Sequence, residues 1–206
     1  MSVWQPSEAE LVKTGSLKWT GMQPKENAVA LAAWVAEMDF GTAPVVQTAL
    51  IKAIKSGLLG YPPPWATEAT AQALSAFMEK RYGWAPKPGW VRTFQTILGS
   101  LHHTIDHLTR PGSAVIVPTP AYMPFLTIPQ THGREMIPVP AIHDPEADTD
   151  QAAWKLDLEG IEAGLKAGAG LVVLCDPWNP TGRVFSVSEL RALNEVVKKY
   201  DALVFA

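Results

Sequence analysis

Asp176-Pro177-Trp178-Asn179-Pro180-Thr181-Gly182-Arg183-Val184 follows directly on the apolar run Leu171 to Cys175. The run reads as a buried strand. The stretch after it therefore leaves the carboxyl end of a strand, the edge at which open α/β sheets hold their ligands. Asn-Pro and Thr-Gly also promote turns, so these residues read either as a plain turn or as a ligand-binding loop.

Working outward, further short apolar, β-branched runs at Ala114 to Val117, Met136 to Val139 and Ala202 to Phe205 read as buried strands. Helical patterns lie at Leu98 to Leu108, Tyr122 to Gln130, Leu158 to Lys166 and Val187 to Tyr200. The last has the clearest start, since Ser186 followed by Glu189 has the spacing of a capping box. Strands separated by helices imply right-handed crossovers and a parallel sheet covered on both faces. Upstream, a helix is expected from Pro44, capped by Thr42 and ended by Gly57 and Gly60, and another from Thr67 to Tyr82, ended by Gly83. Between them Gly60-Tyr61-Pro62-Pro63-Pro64-Trp65 reads as a shaped loop, because prolines remove donors and fix the backbone. Residues 1–42 are irregular and Trp-rich, an N-terminal arm. Leu203-Val204-Phe205-Ala206 reads as a core strand with nothing after it, so the chain is expected to be the N-terminal piece of a longer protein.

The 206 residues are 47% hydrophobic and 18% charged, with 17 Lys and Arg against 20 Asp and Glu. That balance belongs to a globular chain able to bury one large core, not to a disordered one. No Lys/Arg run exceeds Lys198-Lys199, which gives no footprint for nucleic acid or an anionic membrane surface. The longest apolar stretch, Ala28 to Ala36, is too short to span a bilayer. The start of the chain lacks the basic and apolar regions of a signal peptide, and Cys175 is the single cysteine; a cytoplasmic location is expected.

Two more segments bear on chemistry. Pro118-Thr119-Pro120-Ala121-Tyr122-Met123-Pro124-Phe125 follows a strand and offers Tyr122 either as core or as an aromatic platform. Thr93-Phe94-Gln95-Thr96-Ile97-Leu98-Gly99-Ser100-Leu101 opens a helix whose free N–H groups suit a phosphate. There is no Gly-x-Gly-x-x-Gly after a strand, no Walker A motif and no Gly-x-Ser-x-Gly elbow.

Taken in order with Trp34-Val35-Ala36-Glu37-Met38-Asp39-Phe40 and Gly60-Tyr61, these segments resemble the fold type I pyridoxal-phosphate (PLP) enzymes of the class I/II aminotransferase family. The resemblance is closest to the branch of cystathionine β-lyase-like carbon–sulfur lyases, which carry Trp-Val-Ala-Asp-Met-Asp-Phe near the N-terminus, and it runs from about residue 30 to Ala206. It implies an α/β large domain, a mostly parallel sheet flanked by helices, over 43–206, with 1–42 as an N-terminal arm and small-domain segment. It implies that Asn179 bonds the phenolic oxygen of the PLP ring, that Tyr122 stacks on the ring, and that Ile97 and Leu98 bring backbone N–H groups to the phosphate. By the same resemblance Tyr61 crosses a homodimer interface to the neighbouring cofactor's phosphate, while Trp34, Ala36 and Trp178 lie beside an amino-acid substrate.

The departures are specific. Thr96 replaces the family's usual glycine where backbone approaches the phosphate. Asp176 and Trp178 stand where many relatives have Asn and His. None of the eleven lysines lies in the Ser-x-Ser-Lys setting of the family's Schiff-base lysine, so no catalytic residue is assigned and the 206 residues alone are expected to be inactive. The implied reaction is β-elimination from cystathionine or a cysteine S-conjugate; the alternatives are amino-acid transamination and a non-catalytic dimerisation or interaction remnant. His102, His103, Asp106 and His107 show i,i+4 spacing, but no further ligands complete a metal site, and none is assigned. Cys175 reads as a buried spectator.

Overall fold

A computed structural model describes residues 5–21, 32–57 and 59–206. Part of the apolar stretch 28–36 therefore lies outside the described residues. Contacts divide the chain into one unit ending at Gly89 and a second running from Trp90 to Ala206, a division downstream of the arm boundary at residue 42.

The first unit holds α1 (Glu8–Lys13), α2 (Leu17–Thr20), α3 (Pro44–Ser56) and α4 (Pro64–Tyr82). Pro44 opens α3 as its fixed φ and missing N–H favour, but Ala43 occupies the cap. Thr42, the expected cap, instead uses its carbonyl to accept the Gln47 amide at 2.6 Å. The helix α4 begins three residues before the expected Thr67, because Pro64 at the first position gives up an amide that the first turn leaves unpaired anyway. Gly57 and Gly83 end the two helices at φ +68°, a conformation that a Cβ disfavours.

A 3₁₀ turn (Pro88–Trp90) spans the boundary, and the second unit continues with α5 (Ile97–His107), β1 (Val115–Thr119), α6 (Met123–Thr131), β2 (Met136–Pro140), β3 (Ile142–His143), α7 (Asp150–Ala153), β4 (Trp154–Lys155), α8 (Leu158–Lys166), β5 (Leu171–Val173), α9 (Val187–Lys198) and β6 (Leu203–Phe205). Four strands form a parallel sheet in the order β2-β1-β5-β6, as the alternation of strand and helix implies. The antiparallel pair β3–β4 is a separate two-stranded sheet, each strand too short to leave a periodic trace in the sequence.

Side chains alternate across the sheet and build a core on each face. Val115, Val117, Leu171 and Val173 face Leu101 and Ile105 of α5 and Phe125 and Ile128 of α6. Ile116 and Val172 face the other way, with Ile161 and Leu165 of α8 and Leu193, Val196 and Val197 of α9. Gly164 lets α8 come close, since a Cβ there would stand 2.8 Å from Ile116 Cδ1. The capping box that opens α9 is present, with Glu189 accepting the Ser186 N–H at 2.9 Å. Among the described residues β6 pairs only with β5, and Leu203 and Val204 are 39% and 37% exposed there. Among those residues no helix is long and apolar enough to cross a membrane.

Candidate functional site

The last sheet bond beyond β5 runs from Leu174 N–H to the Phe205 carbonyl at 2.7 Å, and the chain then leaves the sheet as the loop 175–185. Its anchor is Trp178, 2% exposed. The indole N–H donates to the Pro120 carbonyl at 2.9 Å, and the ring lies 5.4 Å from that of Phe185. This one side chain ties the loop after β1 to the loop after β5. The ring expected beside a substrate is thus part of the core, because an indole with its N–H satisfied is among the largest apolar bodies a loop can bury.

Behind Trp178 the backbone closes a tight turn. Trp178 N–H donates to the Arg183 carbonyl at 2.7 Å and Gly182 N–H to the Trp178 carbonyl at 2.6 Å, with Gly182 at φ +73°. Asn179 stands exposed on this turn, and its side-chain amide has no partner among the described residues. Arg183 fastens the turn from the inside. Its Nε donates to the Gln151 carbonyl at 2.6 Å, its Nη2 to Glu189 Oε1 at 2.6 Å, and its guanidinium lies 4.9 Å over the Phe185 ring. Gln151 grips the turn from outside, donating to the Gly182 carbonyl at 3.1 Å and accepting the Val184 N–H at 2.9 Å. Sequence reading gave Arg183 and Gln151 no role; Gln151 lies in no motif and more than thirty residues from its partners.

Burial pushes the Glu189 carboxyl up, but the Ser186 N–H, the Arg183 guanidinium and the Ser186 hydroxyl together outweigh it and hold it below its ordinary value of 4.5. A carboxyl more acidic folded than unfolded contributes stability that is complete above the ordinary value and lost as pH falls through the folded one. Thermal melts from neutral pH down to about pH 3 should therefore show a shallower acid decline in Glu189→Gln than in the parent chain. Parallel declines would contradict this.

A second piece of the site is the start of α5. Thr96 is the N-cap, extended at φ −148°, and its hydroxyl accepts the Gly99 N–H at 3.0 Å. Ser100 N–H bonds back to the Thr96 carbonyl, which leaves the N–H groups of Ile97 and Leu98 without partners among the described residues. The β-branched Thr96 thus folds its side chain along the helix and closes off neither of them. Leu98 packs against the core while Ile97 is 70% exposed. The far end of α5 marks its direction, because Arg134, just before β2, donates to the Ile105 carbonyl at 3.2 Å. Its start accordingly faces the carboxyl ends of the strands. Tyr122, the residue before α6, comes to the same edge from β1, 42% exposed and packed edge-to-face on Phe125 at 5.5 Å.

One edge of the sheet thus offers two open backbone N–H groups at a helix start, an exposed aromatic ring and an exposed amide. This set suits an anion attached to a flat aromatic ring that carries an oxygen acceptor.

Other candidates fall elsewhere. His102 Nδ1 lies 2.6 Å from His132 Nε2, and His132 Nδ1 lies 2.6 Å from Asp106 Oδ1, so the i,i+4 pair His102 and Asp106 meets a histidine at the end of α6 in a hydrogen-bonded chain between helices. Among the described residues no group of three or more His, Cys, Asp or Glu is placed to hold a metal ion. Cys175 is half-buried and not enclosed as expected, since β5 has already ended at Val173; its thiol donates to the Pro177 carbonyl at 3.4 Å. In the first unit Tyr61 is fully exposed, Ala36 is exposed, and Trp34, 54% exposed, donates its indole N–H to the Lys18 carbonyl at 3.0 Å. Asp39 organises this region through Lys18 at 2.7 Å and the Trp19 indole at 2.8 Å, and these two hydrogen bonds hold its carboxyl below the ordinary range.

Comparison with known proteins agrees with this architecture. Residues 35–206 match the family described as aminotransferase class I and II. A cystathionine β-lyase of Corynebacterium glutamicum is 39% identical over 96% of this chain and 49% of its own length. The cystathionine β-lyase PatB of Bacillus subtilis is 30% identical over 95% of this chain and 49% of its own. A solved structure of a candidate PLP-dependent β-cystathionase from Corynebacterium diphtheriae superposes with a TM-score of 0.79 at 33% identity, over 98% of this chain and 49% of that one. The chain spans about half the length of these relatives. With strand order, edge loops and matched residues in agreement, the chain belongs to the class I and II aminotransferase family.

Proposed function

We propose that the second unit binds pyridoxal 5′-phosphate and that the activity it serves is β-elimination at the carbon–sulfur bond of cystathionine or a cysteine S-conjugate. The observation that carries the cofactor reading is the pair of open N–H groups at Ile97 and Leu98, at the sheet edge where Tyr122 and Asn179 are exposed. Those N–H groups and the positive end of α5 receive the phosphate. Tyr122 lies against the face of the pyridine ring, and the Asn179 amide donates to the ring's phenolic oxygen. PLP, when bound, supplies the electron sink for a carbanion at the substrate's Cα.

Trp178 serves this site from behind, fixing the Asn179 turn to Pro120. Trp34 and Ala36 are read beside the substrate carboxylate. Tyr61, fully exposed, is read as reaching the cofactor phosphate of a neighbouring subunit in a homodimer. Similarity to two cystathionine β-lyases supports the lyase reading over transamination.

Titration of the purified chain with PLP and with pyridoxal, followed by tryptophan fluorescence, tests the cofactor site. The phosphate should strengthen binding by about tenfold or more, the scale of charge-assisted hydrogen bonds. Asn179→Ala should weaken PLP binding several-fold without weakening the preference for the phosphate. Equal affinity for the two compounds would overturn the reading. The reaction is tested on the whole protein, loaded with PLP and supplied with cystathionine, because these 206 residues hold no lysine in the Schiff-base setting: pyruvate and ammonia are expected, and amino transfer to a 2-oxo acid without pyruvate release would overturn it.

A further inference from the structure

We propose that Gln151 is a positioning residue for Asn179. The inference rests on the reading of Asn179 as a cofactor contact, and it assigns a role to a residue outside every motif of the chain. The Gln151 side chain holds the limb that leaves the turn carrying Asn179: its amide N–H donates to the Gly182 carbonyl at 3.1 Å, and its amide oxygen accepts the Val184 N–H at 2.9 Å. A primary amide donates from its nitrogen and accepts at its oxygen, two separate atoms at the side chain's tip, which suits it to bridge a carbonyl and an N–H two residues apart.

The segment presenting Gln151 is itself anchored. Its backbone carbonyl accepts Arg183 Nε at 2.6 Å, and Arg183 is tied on to Glu189 of α9. Thr149 caps α7, taking the Ala152 N–H at 3.2 Å. The Gln151 side chain therefore ties the turn to α7, while Arg183 ties it separately to α9. The turn's own bonds, Trp178 to Arg183 and Gly182 to Trp178, leave the Gly182 carbonyl and the Val184 N–H to be paired by Gln151. Without it, Asn179 samples more orientations, and an amide that must meet one oxygen loses part of its contact to ordering entropy.

Gln151 is exposed, so Gln151→Ala removes only the side-chain bridge and keeps the backbone bond to Arg183. Two measurements on the full chain test the proposal. Amide hydrogen exchange at Trp178 and Gly182 should speed up by about tenfold in Gln151→Ala, with exchange in α9 unchanged. Gln151→Glu, which keeps the acceptor for Val184 but loses the donor to Gly182, should fall between. PLP affinity should drop about 3- to 10-fold in Gln151→Ala, the size of one or two net hydrogen bonds. In an Asn179→Ala background the same change should alter affinity by less than about twofold, because the two residues act through one contact.

Unchanged exchange in the turn would overturn the proposal, as would equal losses of affinity with and without Asn179. If Asn179→Ala itself leaves PLP affinity untouched, the cofactor reading fails. The positioning role falls with it, while faster exchange in Gln151→Ala would still record the clamp.

Discussion

Trp178→Ala should cost the protein about 3–5 kcal/mol, the range for deleting a large buried aromatic. The side chain is 2% exposed, packs on Phe185 and belongs to the core shared by β1, β5, α8 and α9. Its loss opens a cavity at the carboxyl edge of the sheet, and the Pro120 carbonyl loses its indole donor as well. Against a typical total of about 5–15 kcal/mol, that is a large fraction of the fold. Thermal melts by far-UV circular dichroism should fall by on the order of 10 °C. Trp178→Phe separates the two contributions: it restores most of the packing and loses only the indole N–H, so it should cost about 1–2 kcal/mol. A Trp178→Ala loss below about 1 kcal/mol would mean that the loop is not anchored through this ring. The consequence for function is indirect but specific, because Trp178 immediately precedes Asn179 and fixes the turn that carries it.

The second large effect is expected at Arg183. Arg183→Met keeps the volume but removes the bonds to the Gln151 carbonyl and to Glu189, both 2.6 Å, and the guanidinium's contact over Phe185. Breaking a fully buried pair costs about 3–5 kcal/mol. Here the Glu189 side chain is 34% exposed and regains water when its partner leaves. Arg183 Nη1, moreover, is buried without a partner among the described residues, and its removal returns part of that desolvation cost. The expected loss is therefore about 2–3 kcal/mol, measured by urea unfolding. Arg183→Lys should recover little of it, since an ammonium does not reach the carbonyl and the carboxylate in the geometry of the guanidinium fork. A loss under about 0.5 kcal/mol would place the pair with ordinary surface ion pairs.

Much of the frame was legible because it depends on neighbours in sequence. The start of α9 follows from Ser186 and Glu189, the ends of α3 and α4 from Gly57 and Gly83, and the bounds of α8 agree residue for residue with its apolar pattern. Each of these signals acts over one helical turn. Errors arose where a local rule had two outcomes. Proline excludes the helix interior but suits its first turn, so Pro64 starts α4 instead of preceding it.

The candidate site divides in the same way. Its ordered motifs place Ile97, Leu98, Tyr122 and Asn179 just after strands or at a helix start, and the alternation of strand and helix brings those positions to one edge of a parallel sheet. Whether Trp178 turns inward, which histidine meets His102, and what holds the Asn179 turn depend on residues that are remote in the chain. The indole reaches 58 residues back to Pro120, His102 meets His132 30 residues away, and Gln151 bridges to Val184 across 33. The sequence by itself determined the longer helices, the four strands of the main sheet, their parallel sense and the positions of the edge loops, because backbone sterics and hydrogen bonding select these within a few residues, while the short elements α1, α2, α7, β3 and β4 left no such pattern. Only the tertiary structure decided the order β2-β1-β5-β6 and the clamp of Gln151, Arg183 and Glu189. Such contacts exist only after long loops close and side chains compete for the same space, and no local pattern records the winner.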